Sequence, residues 1–508
     1  MNLEKILNYL NLDLSSGTGG LSLLIATLIL INVLQKLVKW CIIGRKKPPG
    51  PSGFPIVGYL PFLGKEPHKT FWNLRKKYGN IIGVQLGSKY TVVLNDYSTM
   101  KEILCHPAAL NRAPDLFAGI GAEGLFTANG ERWVEQRKYV MSTARDLGLG
   151  KGRWEDLIME EIQVFTEKLK DLKGQPTDIY PILSYSLISN IVILLTGRRL
   201  TDVDKIKLCL EFTDLALIFT SPSLATSLVP GLRKFCEFFR IAGYDRYSKV
   251  NKKFAEFMIE QINYHKTVPE YMNQRDFINS YLETLSEMSK SGRKKHYFSE
   301  TELRGHLTAL LLGGSDTIFS SLTWLFRLMC QHKDVQDKVY KELIEAFGKD
   351  GRARYDERDK IPYTFAVIME GQRYGSIVPL SGTRFASQDI PVKGYVIPKN
   401  TEIFANLWAI HYDPAYWDEP EVFKPERFLS ADGTQLVKPS THYVPFSIGR
   451  RNCPGETIAL MEILFYFTET VKHFEISTPP GVKPEFEIVN GLVARLVPQA
   501  LCFKERNN

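Results

Sequence analysis

The chain is 508 residues long, with 44% apolar and 24% charged residues and a formal net charge of +8. This is the make-up of an ordinary globular protein with one unusual end; so modest a charge suggests an acidic partner surface or anionic lipid, and no nucleic-acid partner is expected. Seven cysteines, an odd number without C-x-x-C pairs, argue against a disulfide framework or a zinc module and fit a reducing, cytosol-facing compartment.

The unusual end comes first. Thr18 to Leu37 is an apolar stretch of about 20 residues, enough for one helical span. Lys36 and Lys39 can snorkel at its edge, and the anchor with its flank covers residues 18–43. Arg45, Lys46 and Lys47 follow it, whereas Lys5 is the only basic residue before it. The positive-inside rule places residues 1–17 in the lumen and the bulk of the chain in the cytosol. A cleaved signal peptide is the competing reading. The long upstream segment, the reversed flanking charge and the lack of a small-residue cleavage site speak against it. No Arg-rich, acid-poor leader indicates mitochondrial import. Residues 44–55, with Pro48, Pro49, Pro51 and Pro55, are expected to form a stiff, extended hinge. No linker-like break follows, so residues 56–508 are expected to form one large domain.

Along that domain, Ile82 to Leu94 alternates apolar and polar residues around Gly87-Ser88-Lys89 and predicts a β-hairpin. Trp133 and Arg137 lie one helical turn apart. Leu215 to Phe239 is rich in Phe and Leu, consistent with core packing or with a surface that dips into lipid. Ser286 to His296 is polar and basic, a surface loop. Ser299 and Glu302 form a capping box behind Phe298 as a hydrophobic staple, and open a helix that runs through Leu307 to Met329. Inside it, Gly313 and Gly314 each cost about 1 kcal/mol relative to alanine, so something else must favour them; Ser315, Asp316 and Thr317 follow. Glu370 and Arg373 share a helix face at i and i+3. Arg384 falls in a predicted strand, Arg427 in the run Pro425-Glu426-Arg427-Phe428. Last comes Phe446-Ser447-Ile448-Gly449-Arg450-Arg451-Asn452-Cys453-Pro454-Gly455, then the apolar run Ile458 to Phe467, a buried helix. Singly, each has a plainer reading: a kinked core helix, a surface ion pair, an inert cysteine in a Gly/Pro turn.

Together these residues resemble one family. The run around Cys453 matches F-x-x-G-x-R-x-C-x-G, the signature of the cytochrome P450 family. Gly313 to Thr317 resembles its A/G-G-x-D/E-T, Glu370 and Arg373 its E-x-x-R, Trp133 and Arg137 its W-x-x-x-R. The resemblance covers essentially the whole cytosolic body. It implies a mainly α fold with small β-sheets (α+β), preceded here by one N-terminal transmembrane helix. It implies haem b with the Cys453 thiolate as axial iron ligand, where thiolate donation favours O–O cleavage. Phe446 would shield the sulfur. Gly449 and Gly455 would let the backbone turn tightly and approach the macrocycle without a Cβ in the way, and Pro454 would stiffen the loop. Amide groups after the cysteine would donate to the sulfur. Arg451, Trp133, Arg137 and Arg384 would hold the propionates. Thr317 would hydrogen-bond dioxygen and Asp316 would help deliver protons through water. Ile318 stands where many members carry a second Thr or Ser. Glu370, Arg373 and Arg427 would form a buried structural triad, not a catalytic one.

By the same resemblance the substrate pocket draws on Phe117, Phe126, Leu310, Gly313, Val378 and Leu492, with Leu116, Leu125, Ile377, Pro379, Leu380, Gly491 and Val493 beside them. All but the two glycines carry apolar side chains, which implies a lipophilic substrate: a steroid, terpenoid, fatty acid or foreign compound. The implied activity is a monooxygenase inserting one atom of O2, by hydroxylation or epoxidation, at the endoplasmic reticulum membrane. No flavin or nicotinamide motif is present, so NADPH electrons would come through a membrane-bound NADPH-cytochrome P450 reductase, with cytochrome b5 as a further candidate. Lys138, Arg145 and Arg450 are candidates for its docking face. Two other readings stay open: a reductase-independent haem-thiolate isomerase or dehydratase, and a non-catalytic haem-binding protein.

Overall fold

A computed structural model describes Thr27 and residues 46–113, 124–148, 152–219, 228–229, 231–272, 274–292, 296–489 and 491–506. Apart from Thr27, the expected membrane span at 18–43 lies outside the described residues. Among the described residues one helix is long and apolar enough to cross a membrane, Glu300–Gln331, and it is a core helix with most of its apolar window buried.

The helices that position the site are α1 (Pro67–Tyr78), α2 (Tyr97–Leu104), α3 (Gly130–Asp146), α4 (Gly152–Asp171), α5 (Tyr180–Thr196), α6 (Val203–Phe219), α7 (Leu232–Phe239), α8 (Tyr244–Thr267), α9 (Phe277–Lys290), α10 (Glu300–Gln331), α11 (Lys333–Phe347), α12 (Pro362–Gly375), α13 (Leu407–His411) and α14 (Glu456–His473). The strands are short, so the fold is mainly helical with small sheets, as expected. The hairpin β1 (Ile81–Leu86) and β2 (Lys89–Leu94) is antiparallel, with Leu86 opposite Lys89. With β3 (Arg384–Phe385) and β6 (Glu402–Ala405) it forms a four-stranded sheet of order β1-β2-β6-β3. Three two-stranded ribbons complete the set: β4 (Ile390–Val392) with β5 (Tyr395–Ile397), β8 (Ile488–Val489) with β9 (Arg495–Leu496), and β7 (Phe474–Ser477) with β10 (Cys502–Glu505).

The proline-rich segment differs from expectation. From Lys46 onward it is docked on the sheets rather than free. The Lys46 carbonyl accepts from Val396 N–H at 2.7 Å and the Pro49 carbonyl from Gly83 N–H at 2.9 Å. Gly50 makes this approach possible, because a Cβ there would sit 1.6 Å from the Gly83 oxygen.

The core is organised around α10. Its N-terminus is capped by Ser299, whose Oγ accepts from Glu302 N–H at 3.2 Å. The reciprocal half of the expected capping box is not made. The Glu302 carboxylate turns to Arg132 of α3, and the Ser299 N–H meets the Tyr281 hydroxyl at 3.4 Å. A charged partner across helices outcompetes a neutral amide on the same turn. Phe298 and Leu303 share one apolar cluster, as the staple requires. A second cluster joins α10 to α4, α5, α12 and α14.

One buried polar group inside this core joins α5 to α14. Tyr466 of α14 meets Ser186 at 2.7 Å and accepts from Asn190 Nδ2 at 3.1 Å. One turn before it lies Glu462, fully buried, with neither carboxyl oxygen hydrogen-bonded among the described residues. Burial raises its pKa from 4.5 to about 8, with Asn190 opposing. Glu161 of α4, which also acts on Tyr466, is ion-paired to Arg199. The folded protein therefore keeps a proton that the unfolded chain releases near pH 4.5. This group's contribution is most favourable below that pH and is lost as pH rises to about 8. Glu462→Gln should flatten the dependence of thermal stability on pH across that window, by up to about 1.4 kcal/mol per pH unit, and should be at least as stable as the parent at pH 8. Melting curves at stepped pH check this; parallel curves for the two proteins would refute it.

Candidate functional site

The loop 445–455 enters a cavity of about 290 Å3 between α10, α3 and the segment before β3. Two features shape that loop. Gly449 takes φ +79°, and a Cβ there would lie 2.7 Å from the Leu104 carbonyl oxygen of α2, so only glycine fits. Cys453 N–H donates to the Phe446 carbonyl at 2.9 Å and closes the turn. Gly455 does not play the conformational part expected of it. Its φ of −93° suits any residue, and it serves as N-cap of α14. A Cβ there would lie 3.9 Å from Cys453 Sγ, an ordinary van der Waals contact. Phe446, Cys453 and Gly455 all line the cavity. Burial pushes the Cys453 thiol up, while the Gly455 amide and Arg137 act against it.

A buried scaffold holds the loop from behind. Glu370 and Arg373 of α12 form a bidentate pair, 2.7 Å at each contact, and Arg427 Nε reaches Glu370 at 3.4 Å. Glu370 also accepts from Lys424 N–H at 3.0 Å. Arg373 spends its remaining nitrogen on the His411 carbonyl at 2.8 Å. The His411 ring, kept neutral by burial and Arg373, accepts from Val444 N–H at 3.0 Å. The triad thus reaches the cysteine loop through one histidine, which sequence reasoning missed; His411 follows Ala409-Ile410 with no motif to mark it.

One edge of the cavity is cationic. Arg112, Arg137, Arg384 and Arg451 line it, and no Asp or Glu does among the described residues. Burial, then Arg112, Arg451 and Arg137, push Arg384 down to about 7. Burial, Arg112 and Arg137 bring Arg451 to about 8. A guanidinium keeps its proton in proteins, so these depressions register positive potential without a counter-charge. Arg112 Nε, Trp133 Nε1 and two nitrogens of Arg384 are buried donors without a hydrogen-bond partner among the described residues. Arg384 was expected here. Arg112 was not singled out: it stands in Ala109-Leu110-Asn111-Arg112 with no partner at helical or strand spacing. Arg137 and Arg451, both expected at this site, spend much of their capacity on protein. Arg137 donates to the Asn452 carbonyl at 3.0 Å and to its Oδ1 at 2.7 Å. Arg451 donates to the carbonyls of Leu110, Leu125 and Ala128 and stacks 4.1 Å from the Trp133 ring centroid. Their contribution to a ligand here is largely charge.

The α10 wall separates the two glycines. Gly314 is a packing residue: a Cβ there would lie 2.5 Å from Ile191 Cδ1 of α5. Gly313 faces the cavity, where the nearest atom to a built Cβ is Phe126 Cε2 at 3.8 Å. Thr317 is on the cavity wall, its hydroxyl donating to the Gly313 carbonyl at 2.7 Å. Asp316 is not. It is buried on another face of α10, paired to Arg495 of β9, which also holds Asp214 of α6 at 2.7 Å. Burial raises Asp316 to about 6, against the pull of Arg495. Of the expected pocket residues, Phe126, Leu310, Gly313, Val378 and Leu492 line the cavity, as do Leu125, Ile377 and Val493. Pro379, Leu380 and Gly491 do not, and Leu116 and Phe117 lie outside the described residues.

These donors fit a flat, metal-bearing macrocycle with two carboxylates. A soft sulfur stands on one side and a ring of orphaned cationic donors waits at the edge. Comparison with known proteins points the same way. The profile of the cytochrome P450 family matches residues 48–503. Cytochrome P450 2B4 of Oryctolagus cuniculus is 33% identical over 453 residues, covering 86% of this chain and 89% of that protein. Cytochrome P450 2U1 of Bos taurus is 31% identical, covering 92% and 90%. Cytochrome P450 18a1 of Drosophila melanogaster is 28% identical, covering 96% and 92%.

Removing one member of the buried triad leaves an uncompensated charge. Arg373→Ala should cost about 3–5 kcal/mol of stability, and Arg373→Lys should rescue little because an ammonium cannot make both parallel contacts. Denaturant unfolding of the two variants checks this; a lysine variant as stable as the parent would refute it.

Proposed function

The chain belongs to the cytochrome P450 family, whose members are haem-thiolate monooxygenases, and from that membership we propose that it inserts one atom of O2 into a lipophilic small molecule at a membrane surface. The observation that carries the reading is the pairing, in one cavity, of the Cys453 sulfur with four arginines that lack a counter-charge. Haem bound there supplies the one-electron and dioxygen chemistry, with thiolate donation favouring O–O cleavage.

The chain's own residues do the rest. Cys453 would hold the iron through its sulfur; coordination would favour the thiolate against the burial that otherwise keeps its proton on, and the Gly455 amide donates toward the sulfur. Trp133, Arg112 and Arg384 hold the propionates with the donors they leave unpaired, while Arg137 and Arg451 add charge. Thr317 presents a hydroxyl whose proton rests on the Gly313 carbonyl, so its oxygen can accept a proton-bearing water at the distal face. Asp316 is the proton source: its carboxyl, raised to about 6, exchanges near neutral pH. Because it sits on another face of α10, water must carry the proton round to Thr317. Phe126, Leu310, Val378 and Leu492 hold the substrate by shape and dispersion. Electrons come from NADPH through a membrane-bound reductase, with cytochrome b5 as a second donor.

The membrane reading rests on two apolar patches. Phe54, Ile56 and Phe62 are 58%, 74% and 47% exposed; Phe235, Phe238 and Phe239 of α7 are 51%, 81% and 56% exposed. The β1–β2 turn joins them, since Gly87 N–H donates to the Val57 carbonyl at 3.0 Å and Ser88 N–H to that of Leu228 at 2.8 Å. Aromatic side chains clustered on one face suit insertion among lipid headgroups. The site of action is then the cytosolic face of the endoplasmic reticulum, with residues 18–43 as a single anchor.

The carbon monoxide difference spectrum of the reduced protein tests the function. A strongly red-shifted Soret band is expected for the parent. Cys453→Ser should lose both that band and NADPH-dependent turnover with reductase, and retention of both would sink the assignment. For the membrane, removal of residues 1–47 should leave part of the protein on carbonate-washed vesicles. Adding Phe235→Ser, Phe238→Ser and Phe239→Ser should release it. Equal binding of the two proteins would show that α7 is not a contact.

A further inference from the structure

Two adjacent residues of α3 hold the two sides of the cavity. Arg137 grips the backbone and side chain of Asn452, the residue before Cys453. Gln136, fully buried, reaches the other way. Its Nε2 donates to the Tyr297 carbonyl at 2.9 Å, which fixes the amide orientation and leaves Oε1 as an acceptor. That oxygen meets His306 Nε2 of α10 at 2.6 Å and accepts from the Tyr281 hydroxyl of α9 at 3.2 Å. His306 must therefore carry its proton on Nε2. Burial, with Arg132 nearby, keeps the ring neutral. One turn earlier on both helices, Arg132 pairs with Glu302. The two links, 132 to 302 and 136 to 306, form a ladder with the same four-residue step on each helix. His306 also abuts the loop that precedes Phe126: a Cβ on Gly124 would lie 3.0 Å from its ring.

The connection is continuous: the Thr317 helix, His306, Gln136, α3, Arg137, Asn452, Cys453. We infer that Gln136 and His306 are positioning residues that set the gap between α10 and the cysteine loop, and so the fit of the haem in its slot. This rests on the reading of the cavity as a haem site. Neither residue touches the cavity; both act through α3, which carries Trp133 and Arg137.

The test compares His306→Leu, Gln136→Leu, the double leucine variant and His306→Gln, each as full-length holoenzyme. Three quantities are read: the thermal midpoint, the rate of haem transfer to excess apo-globin, and the fraction of the carbon monoxide complex with the neutral-ligand band. The parent must first show the thiolate band; if it does not, the haem reading fails and not merely this inference. Each single leucine variant should lose thermal stability and release haem about ten-fold faster, the usual scale for groups that orient a metal site from behind. The double variant should be more stable than Gln136→Leu, because His306 Nε2–H is no longer left buried without its acceptor, but less stable than the parent, because the Tyr297 carbonyl and the Tyr281 hydroxyl still lose Gln136. It should still release haem fast and show the larger neutral-ligand fraction. His306→Gln, which keeps a donor towards Gln136, should hold haem as the parent does. A double variant that regains both stability and haem retention would mean packing alone is at stake. A glutamine variant as leaky as leucine would also overturn the inference.

Discussion

Uncompensated positive charge at one edge of a buried cavity is the constraint to which the rest of the architecture answers. Four guanidinium groups and an indole N–H converge where no carboxylate meets them among the described residues. Burying such groups is unfavourable unless something anionic arrives. The polypeptide meets part of the demand itself, through carbonyls at 110, 125, 128, 383 and 452. The remainder is left to a ligand, so the stability of the folded state and occupancy of the cavity are linked. That linkage favours a cofactor that stays bound rather than one that exchanges with each turnover.

Around this edge the protein uses buried polar links rather than apolar packing to fix distances. The Glu370–Arg373 pair, the His411 ring and the Gln136–His306 contact each join segments far apart in the chain. Apolar contacts tolerate small slides, whereas a hydrogen bond weakens steeply with angle and distance. The Cys453 sulfur and the Thr317 hydroxyl stand on walls of one cavity that belong to different segments, and such links define their separation more sharply than packing would. The substrate side is built oppositely. Phe126, Leu310, Val378 and Leu492 line the cavity with apolar side chains, which offer shape without directional contacts.

The glycines of α10 show how one sequence feature divides into two physical roles. Gly314 exists because Ile191 of α5 occupies the space a methyl would take; Gly313 leaves volume in the cavity beside Thr317. The acid next to that threonine is likewise divided from it. A single residue step turns about 100° round a helix, so Asp316 faces β9 and α6 while Thr317 faces the cavity. Arg495 holds Asp316 on that other face and ties it to Asp214 of α6.

The sequence by itself determined the family, the hairpin, the capped central helix, the cysteine loop and the Glu370–Arg373–Arg427 triad. Each is carried by residues at short, fixed spacing, where local geometry is enough to signal the partner. Arg112, His411, Gln136, His306 and Arg495 were not legible, because each finds its partner through a contact that only folding creates. The same holds for the proline-rich segment, read as a spacer and found docked from Lys46 on. Spacing along a chain reports what a helix turn or a tight loop brings together. Which helix faces which, and which charge is left without a counterpart, follows from packing, and packing is decided by the whole chain at once.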